Sequence, residues 1–114
     1  MEQTTLFHIL SDETRLRALA LMQSAGEVCI CELVHALELP QPKISRHMAA
    51  MRDAGIALPR RDAQWVFYAP NPSLPEWQKQ VVASAMLGLA NDPTTASDLT
   101  RLNNMANRPE RCAA

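Results

Sequence analysis

The run Gln41-Pro42-Lys43-Ile44-Ser45-Arg46-His47-Met48 leaves this chain few ways to fold. Over residues 41 to 54 a helix would set Ile44, Met48 and Met51 at intervals of four and three, one apolar stripe to bury. Pro42 fits a first helical turn, where its missing N–H interrupts no internal bond, and Gly55 can supply a left-handed end. Just upstream, Cys31 to Leu37 carries apolar residues at 33, 34 and 37, a short amphipathic helix closed by the turn Glu38-Leu39-Pro40. Two short helices across a tight turn make a helix-turn-helix. Downstream, residues 56 to 58, then Pro59-Arg60-Arg61-Asp62-Ala63-Gln64, then Trp65-Val66-Phe67-Tyr68 predict strand, polar turn and strand, a hairpin wing. The predicted fold class is mainly α with a β-hairpin wing, a winged helix-turn-helix.

The face of residues 41 to 54 opposite the apolar stripe, with the helix start, holds Gln41, Lys43, Ser45, Arg46 and His47. Amide, guanidinium, hydroxyl and ammonium groups on one face suit base edges and phosphates. The wing adds Arg60, Arg61 and Gln64 as backbone contacts beside the groove. A formal net charge of −1 does not advertise nucleic-acid binding. Distribution matters more: from Lys43 to Arg61 the cations are Lys43, Arg46, Arg52, Arg60 and Arg61 against Asp53 alone. The plainer alternative is a solvated helix face.

Residues 6 to 10 form a short apolar patch, and Ser11 is placed to cap a helix from 12 to about 24, which Ala25-Gly26 ends. After the wing, Pro70-Asn71-Pro72 breaks the strand and Ser73-Leu74-Pro75-Glu76 reads as a capping box. The helix expected from 73 to about 90 carries Trp77, Val81, Ala85 and Leu89 at every fourth position, widened by Val82 and Met86. That surplus of apolar surface points to a second subunit; packing within one chain is the alternative. Residues 1–92 are expected to be one domain, with 93–114 a polar tail in which Leu99, Leu102 and Met105 sustain at most a weak helix. No apolar run approaches the roughly 20 residues that span a bilayer, and no basic start precedes an apolar block, so a cytoplasmic protein is expected.

Cysteines at 29 and 31, kept reduced in such a compartment, are either soft-metal ligands or small apolar fillers. On a helix, this spacing would separate them by about 200° around the axis. An ion holding both sulfurs would therefore distort the helix start, where the N-terminal dipole favours thiolate. His8, His35 and His47 form no metal cluster in the sequence. Three glycines and the absence of any local nucleophile signature give catalysis no support.

Four stretches, Leu10-Ser11-Asp12-Glu13-Thr14-Arg15-Leu16-Arg17, Glu27-Val28-Cys29-Ile30-Cys31-Glu32-Leu33, Gln41 to His47 and Trp65-Val66-Phe67-Tyr68, together resemble the ArsR/SmtB family of winged-helix repressors, most strongly its arsenic- and antimony-responsive branch. The likeness covers roughly residues 6 to 90. It implies a homodimer through the first and last helices, bound to double-stranded operator DNA. It further implies trivalent arsenic or antimony, as an ion or an organoarsenical, as inducer at Cys29 and Cys31, with no catalytic cofactor and no membrane. That branch often has a further cysteine three residues after the second, where Val34 stands here, so Cys112 is the remaining candidate for a third ligand. The family's zinc site on the last helix is missing. Two alternatives stay open: a cadmium, lead or thiol-redox sensor of the same fold, and a winged-helix interaction or metal-binding module without an operator.

Overall fold

The computed structural model describes residues 1–105, which form six helices and a three-stranded antiparallel sheet. The patch at residues 6 to 10 proves to be the inner side of a helix missed in the sequence, α1 (Gln3–Leu10), with Leu6 and Ile9 buried. Ser11 closes α1 instead of opening the next helix, its hydroxyl donating to the His8 carbonyl at 2.6 Å. The cap of α2 (Glu13–Ala25) is Asp12, whose extended backbone lets Oδ1 accept from the Arg15 N–H at 3.1 Å. Ser11 keeps a helical backbone and so belongs to the helix before it.

The short strand β1 (Val28–Cys29) leads into α3 (Ile30–Leu37) and α4 (Gln41–Ala54), the expected helix-turn-helix. The turn begins at Glu38, which is left-handed at φ +55°, a conformation costing a non-glycine residue about 1–2 kcal/mol. Its carboxylate meets Arg101 Nη1 at 3.0 Å. Helix α4 begins and ends where the sequence predicts, with Gly55 at φ +82° behind it and Ile44, Met48 and Met51 buried. Burying each such side chain contributes about 1.5–3 kcal/mol, so this stripe alone seats the helix on the core.

The wing is longer than its sequence suggested. Strands β2 (Ala57–Asp62) and β3 (Trp65–Pro70) pair from Ala57↔Pro70 to Asp62↔Trp65, with the turn closed by Ala63 at φ +53°. Pro59 is accommodated because β2 is an edge strand, where a missing N–H is tolerated. On the other side of β3, β1 pairs Val28↔Tyr68 and Cys29↔Phe67. A two-residue strand has no periodicity to read, which is why it escaped sequence analysis.

Helix α5 (Glu76–Leu89) starts after Pro75, three residues later than the predicted capping box. The backbone N–H of Ser73 donates to Asn71 Oδ1 at 2.9 Å, so that serine belongs to the preceding turn. The last described helix, α6 (Pro93–Asn103), lies in the segment expected to be a polar tail. It packs on α2 and α3, burying Leu102, Met105 and Asp98. The fully buried Asp98 accepts from Arg17 Nε and Nη2, both at 2.8 Å, and from Arg101 Nη2 at 2.7 Å. The same two guanidinium groups donate to the carbonyls of Leu37 at 2.9 Å and Ala36 at 2.7 Å, gripping the C-terminal end of α3. Cys112 lies outside the described residues. Among those described, no helix is long and apolar enough to cross a membrane.

Candidate nucleic-acid interface and thiol recess

At the head of α4, Gln41, Ser45 and Arg46 are exposed and Lys43 is half-buried; Arg61 and Gln64 are exposed on the wing. Gln41, Ser45 and Gln64 line one recess, so the start of the helix and the start of β3 adjoin. These six residues form one polar, net cationic edge of the molecule.

Two of the predicted contacts are oriented differently. His47 turns back toward α2, its Nδ1 3.1 Å from Arg15 Nη1. A guanidinium can only donate, so Nδ1 must accept and the ring is neutral with its hydrogen on Nε2, which lies 3.8 Å from Asp12 Oδ1. Burial lowers the pKa of His47 below its ordinary value, and the charges of Arg15, Lys43 and Arg46 add to this against the pull of Asp12. Arg60 lies in β2, not at the hairpin tip: its Nε donates to Glu27 Oε2 at 3.1 Å and its guanidinium sits 4.8 Å above the Phe67 ring. The hydrogen bond from Arg60 holds the Glu27 carboxyl below its usual range. His47 therefore orients the reading helix, and Arg60 fixes the wing to the entry of β1.

Cys29 ends β1 and caps α3. Its sulfur accepts the N–H of Glu32 while the Glu32 carboxylate accepts the N–H of Cys29 at 2.9 Å, a capping box with sulfur in place of the usual oxygen. Only 2% of Cys29 is exposed. Burial pushes its thiol up to about 11, with the adjacent Glu32 carboxylate adding to the rise and the backbone N–H bonds opposing it. The expectation that the helix N-terminus would favour thiolate is thus overturned at Cys29, where loss of water outweighs the dipole. Cys31 is half-buried in the first turn of α3. Because Cys29 stands in extended backbone ahead of the helix, the 200° argument does not describe the pair.

Both cysteines line a recess of about 260 Å³ together with Gln41, Ser45, Gln64 and Trp65. The indole N–H of Trp65 is out of contact with water and meets no acceptor among the described residues. Val34 is half-buried in α3. No group of three or more His, Cys, Asp or Glu side chains gathers as metal ligands would, among the described residues. The recess can offer an ion two soft sulfurs and a polar wall. Sequence reasoning identified the cysteines but not this wall, since no local pattern brings residues 41, 45, 64 and 65 to positions 29 and 31.

A second concavity, about 860 Å³ and open, runs between the first two helices and α5, lined by Phe7, Leu10, Leu16, Trp77, Val81 and Leu89. Phe7 is 55% and Trp77 39% exposed. The every-fourth-residue stripe of α5 faces this groove, while Val82 turns to the core.

Comparison with known proteins places these features among regulators. Residues 12–57 match the family described as bacterial regulatory protein, arsR family. Over 106 residues the chain is 48% identical to the arsenic resistance transcriptional regulator ArsR2 of Pseudomonas putida, covering 93% of this chain and 90% of that one. Over 80 residues it is 45% identical to the arsenical resistance operon repressor of Escherichia coli, covering 70% and 68%. Among solved structures, reduced HlyU from Vibrio cholerae superposes with a TM-score of 0.66 at 28% identity, covering 76% of this chain and 87% of that one.

Proposed function

The chain belongs to the ArsR family of bacterial regulatory proteins, transcriptional regulators and not enzymes, and from that footing we propose that it is a metalloid-responsive repressor. As a homodimer it holds operator DNA when empty and leaves it when trivalent arsenic or antimony binds Cys29 and Cys31. One observation carries this reading: the two cysteines share their recess with Gln41 and Ser45 of the reading helix and Gln64 of the wing. An ion that takes the Cys29 sulfur also takes it from the Glu32 N–H, removing a cap worth about 1 kcal/mol at the start of α3. The first turn of α3 shifts, and the wall formed by α4 and the wing shifts with it. A preference of the inducer for the weak-binding state of about 2–3 kcal/mol lowers operator affinity some 30- to 150-fold.

In this reading Gln41, Lys43, Ser45 and Arg46 address the major groove, Arg61 and Gln64 the adjoining phosphates, and His47 and Arg60 hold those groups in position. The apolar groove between α1 and α5 receives a second copy of the chain, setting two reading helices about 34 Å apart on a palindrome. Arg46→Ala should weaken operator binding by about 1–3 kcal/mol if the guanidinium pairs with a guanine edge. A gel-shift titration, saturating at two chains per palindrome in the parent protein, measures this; an unchanged midpoint would remove Arg46 from the reading head. Cys112 is a further candidate ligand, from either subunit.

The high pKa of Cys29 separates metalloid from divalent-cation sensing. Arsenite, As(OH)3, carries its own bases: two thiol protons leave with two of its hydroxides as two waters, and no proton is released. Cadmium must displace the protons into solution. Below the thiol pKa of about 11, each such proton makes the affinity climb about tenfold per pH unit. From pH 6 to pH 8 cadmium binding should therefore strengthen about 100-fold from Cys29 alone, whereas arsenite binding stays nearly flat. Titrations at three pH values with operator release as readout test this. Equal slopes for the two agents would favour the cadmium or lead reading.

A further inference from the structure

Trivalent arsenic and antimony bind three ligands in a pyramid. Where Cys29 and Cys31 supply two, one position is left for a group of the ion's own or for another donor. The surroundings of that position are chemically particular. Trp65 stands at the first residue of β3 and lines the same recess as both cysteines, and its indole N–H is sealed from water without an acceptor among the described residues. A buried donor in that state is costly, roughly 1–3 kcal/mol, so such groups normally find a partner. The rest of the wall is also polar: the amides of Gln41 and Gln64 and the hydroxyl of Ser45 border the recess. An alkyl group facing this wall would leave every one of these groups without a bond, whereas an oxygen would satisfy at least one.

We propose that the indole N–H of Trp65 holds the single non-sulfur substituent of the bound ion, an oxygen, so that the recess selects arsenite and antimonite over their monoalkyl derivatives. The proposal rests on reading the recess as the inducer site. The binding step balances as As(OH)3 plus two cysteine thiols giving a dithiolate–As–OH and two waters; two As–O bonds break, two As–S bonds form, and arsenic stays trivalent. Methylarsenous acid, MeAs(OH)2, undergoes the same exchange but keeps its methyl group where the hydroxyl would be. The two probes thus differ at one position and share everything else.

Operator complexes of the parent protein and of Trp65→Phe are titrated with arsenite and with methylarsenous acid, and the arsenite-loaded parent is measured by X-ray absorption. The expected coordination is two sulfurs and one oxygen. Trp65→Phe should raise the arsenite concentration for half release about 5- to 10-fold, the worth of one net hydrogen bond, and leave the methylarsenous titration unchanged, which also shows that the variant is folded and able to respond. Three sulfurs around arsenic would overturn the proposal, as would a shift of equal size for both probes or no shift for arsenite. Should neither probe release the parent protein, the recess is not the inducer site, and that outcome is distinct from a failure of the Trp65 contact alone.

Discussion

Replacing Cys29 and Cys31 together by serine should give a protein that grips its operator as firmly as before and ignores arsenite. The expected loss is the whole response, the 30- to 150-fold weakening set by a coupling of about 2–3 kcal/mol. Retention of DNA binding follows from the role of Cys29 as a helix cap. Its sulfur accepts the Glu32 N–H, and serine is among the residues preferred at that position, so oxygen replaces sulfur without leaving the first turn of α3 open. Cys31 stands half-buried on that turn, where a hydroxyl in place of sulfur removes little packing. Fluorescence anisotropy on a labelled operator, with arsenite added in steps, reads both quantities in one experiment. Full release from the double variant would exclude these sulfurs as the sensor; a variant that no longer bound DNA would show that the cap itself holds the reading head.

Asp98→Ala should remove about 2–4 kcal/mol of stability, somewhat below the usual figure for breaking a buried charge network because its partners retain some access to water. The carboxylate is fully buried and accepts three hydrogen bonds from two guanidinium groups, whose side chains are 15% exposed at Arg17 and 30% at Arg101. Without it, two like charges face one another at the junction of α2, α3 and α6, and the bonds to the Ala36 and Leu37 carbonyls lose their support. Asp98→Asn, which keeps an acceptor oxygen, should cost clearly less. Urea denaturation followed by circular dichroism decides the matter through the midpoint at constant slope. A change below about 1 kcal/mol would mean that α6 is held by Leu102 and Met105 alone.

The reading helix was legible because one short run carries everything that fixes it: an apolar stripe at 44, 48 and 51, a proline in the first turn and a glycine at the end. All of these features recur in the structure. The wing was legible in kind but not in length, because Pro59 and the charged residues around it read as turn, and edge position alone makes them strand. Helix α1 was missed because only Leu6 and Ile9 of its residues are buried, and two residues establish no period. The tail misled for the opposite reason. Asp98 looked like surface polarity, although an arginine three residues later, beside apolar residues at 99 and 102, marks a carboxylate that could be neutralised in a packed helix. At the sensing end, the cysteines stood out in sequence, whereas their protonation depends on burial, and Trp65 joins them only through the pairing of strands.

Arg15 reaches in two directions at once, to the carbonyls of His8 and Ile9 at the end of the first helix and to the His47 ring on the reading helix. Neither helix can swivel without straining the other. Each protomer therefore arrives with the tilt of its reading head already fixed against the helix that borders the apolar groove. When two copies join there, the pitch they present to a duplex is decided by the angle between their bodies, so half-site spacing becomes a property of the pairing axis and not of loop adjustment after contact with DNA.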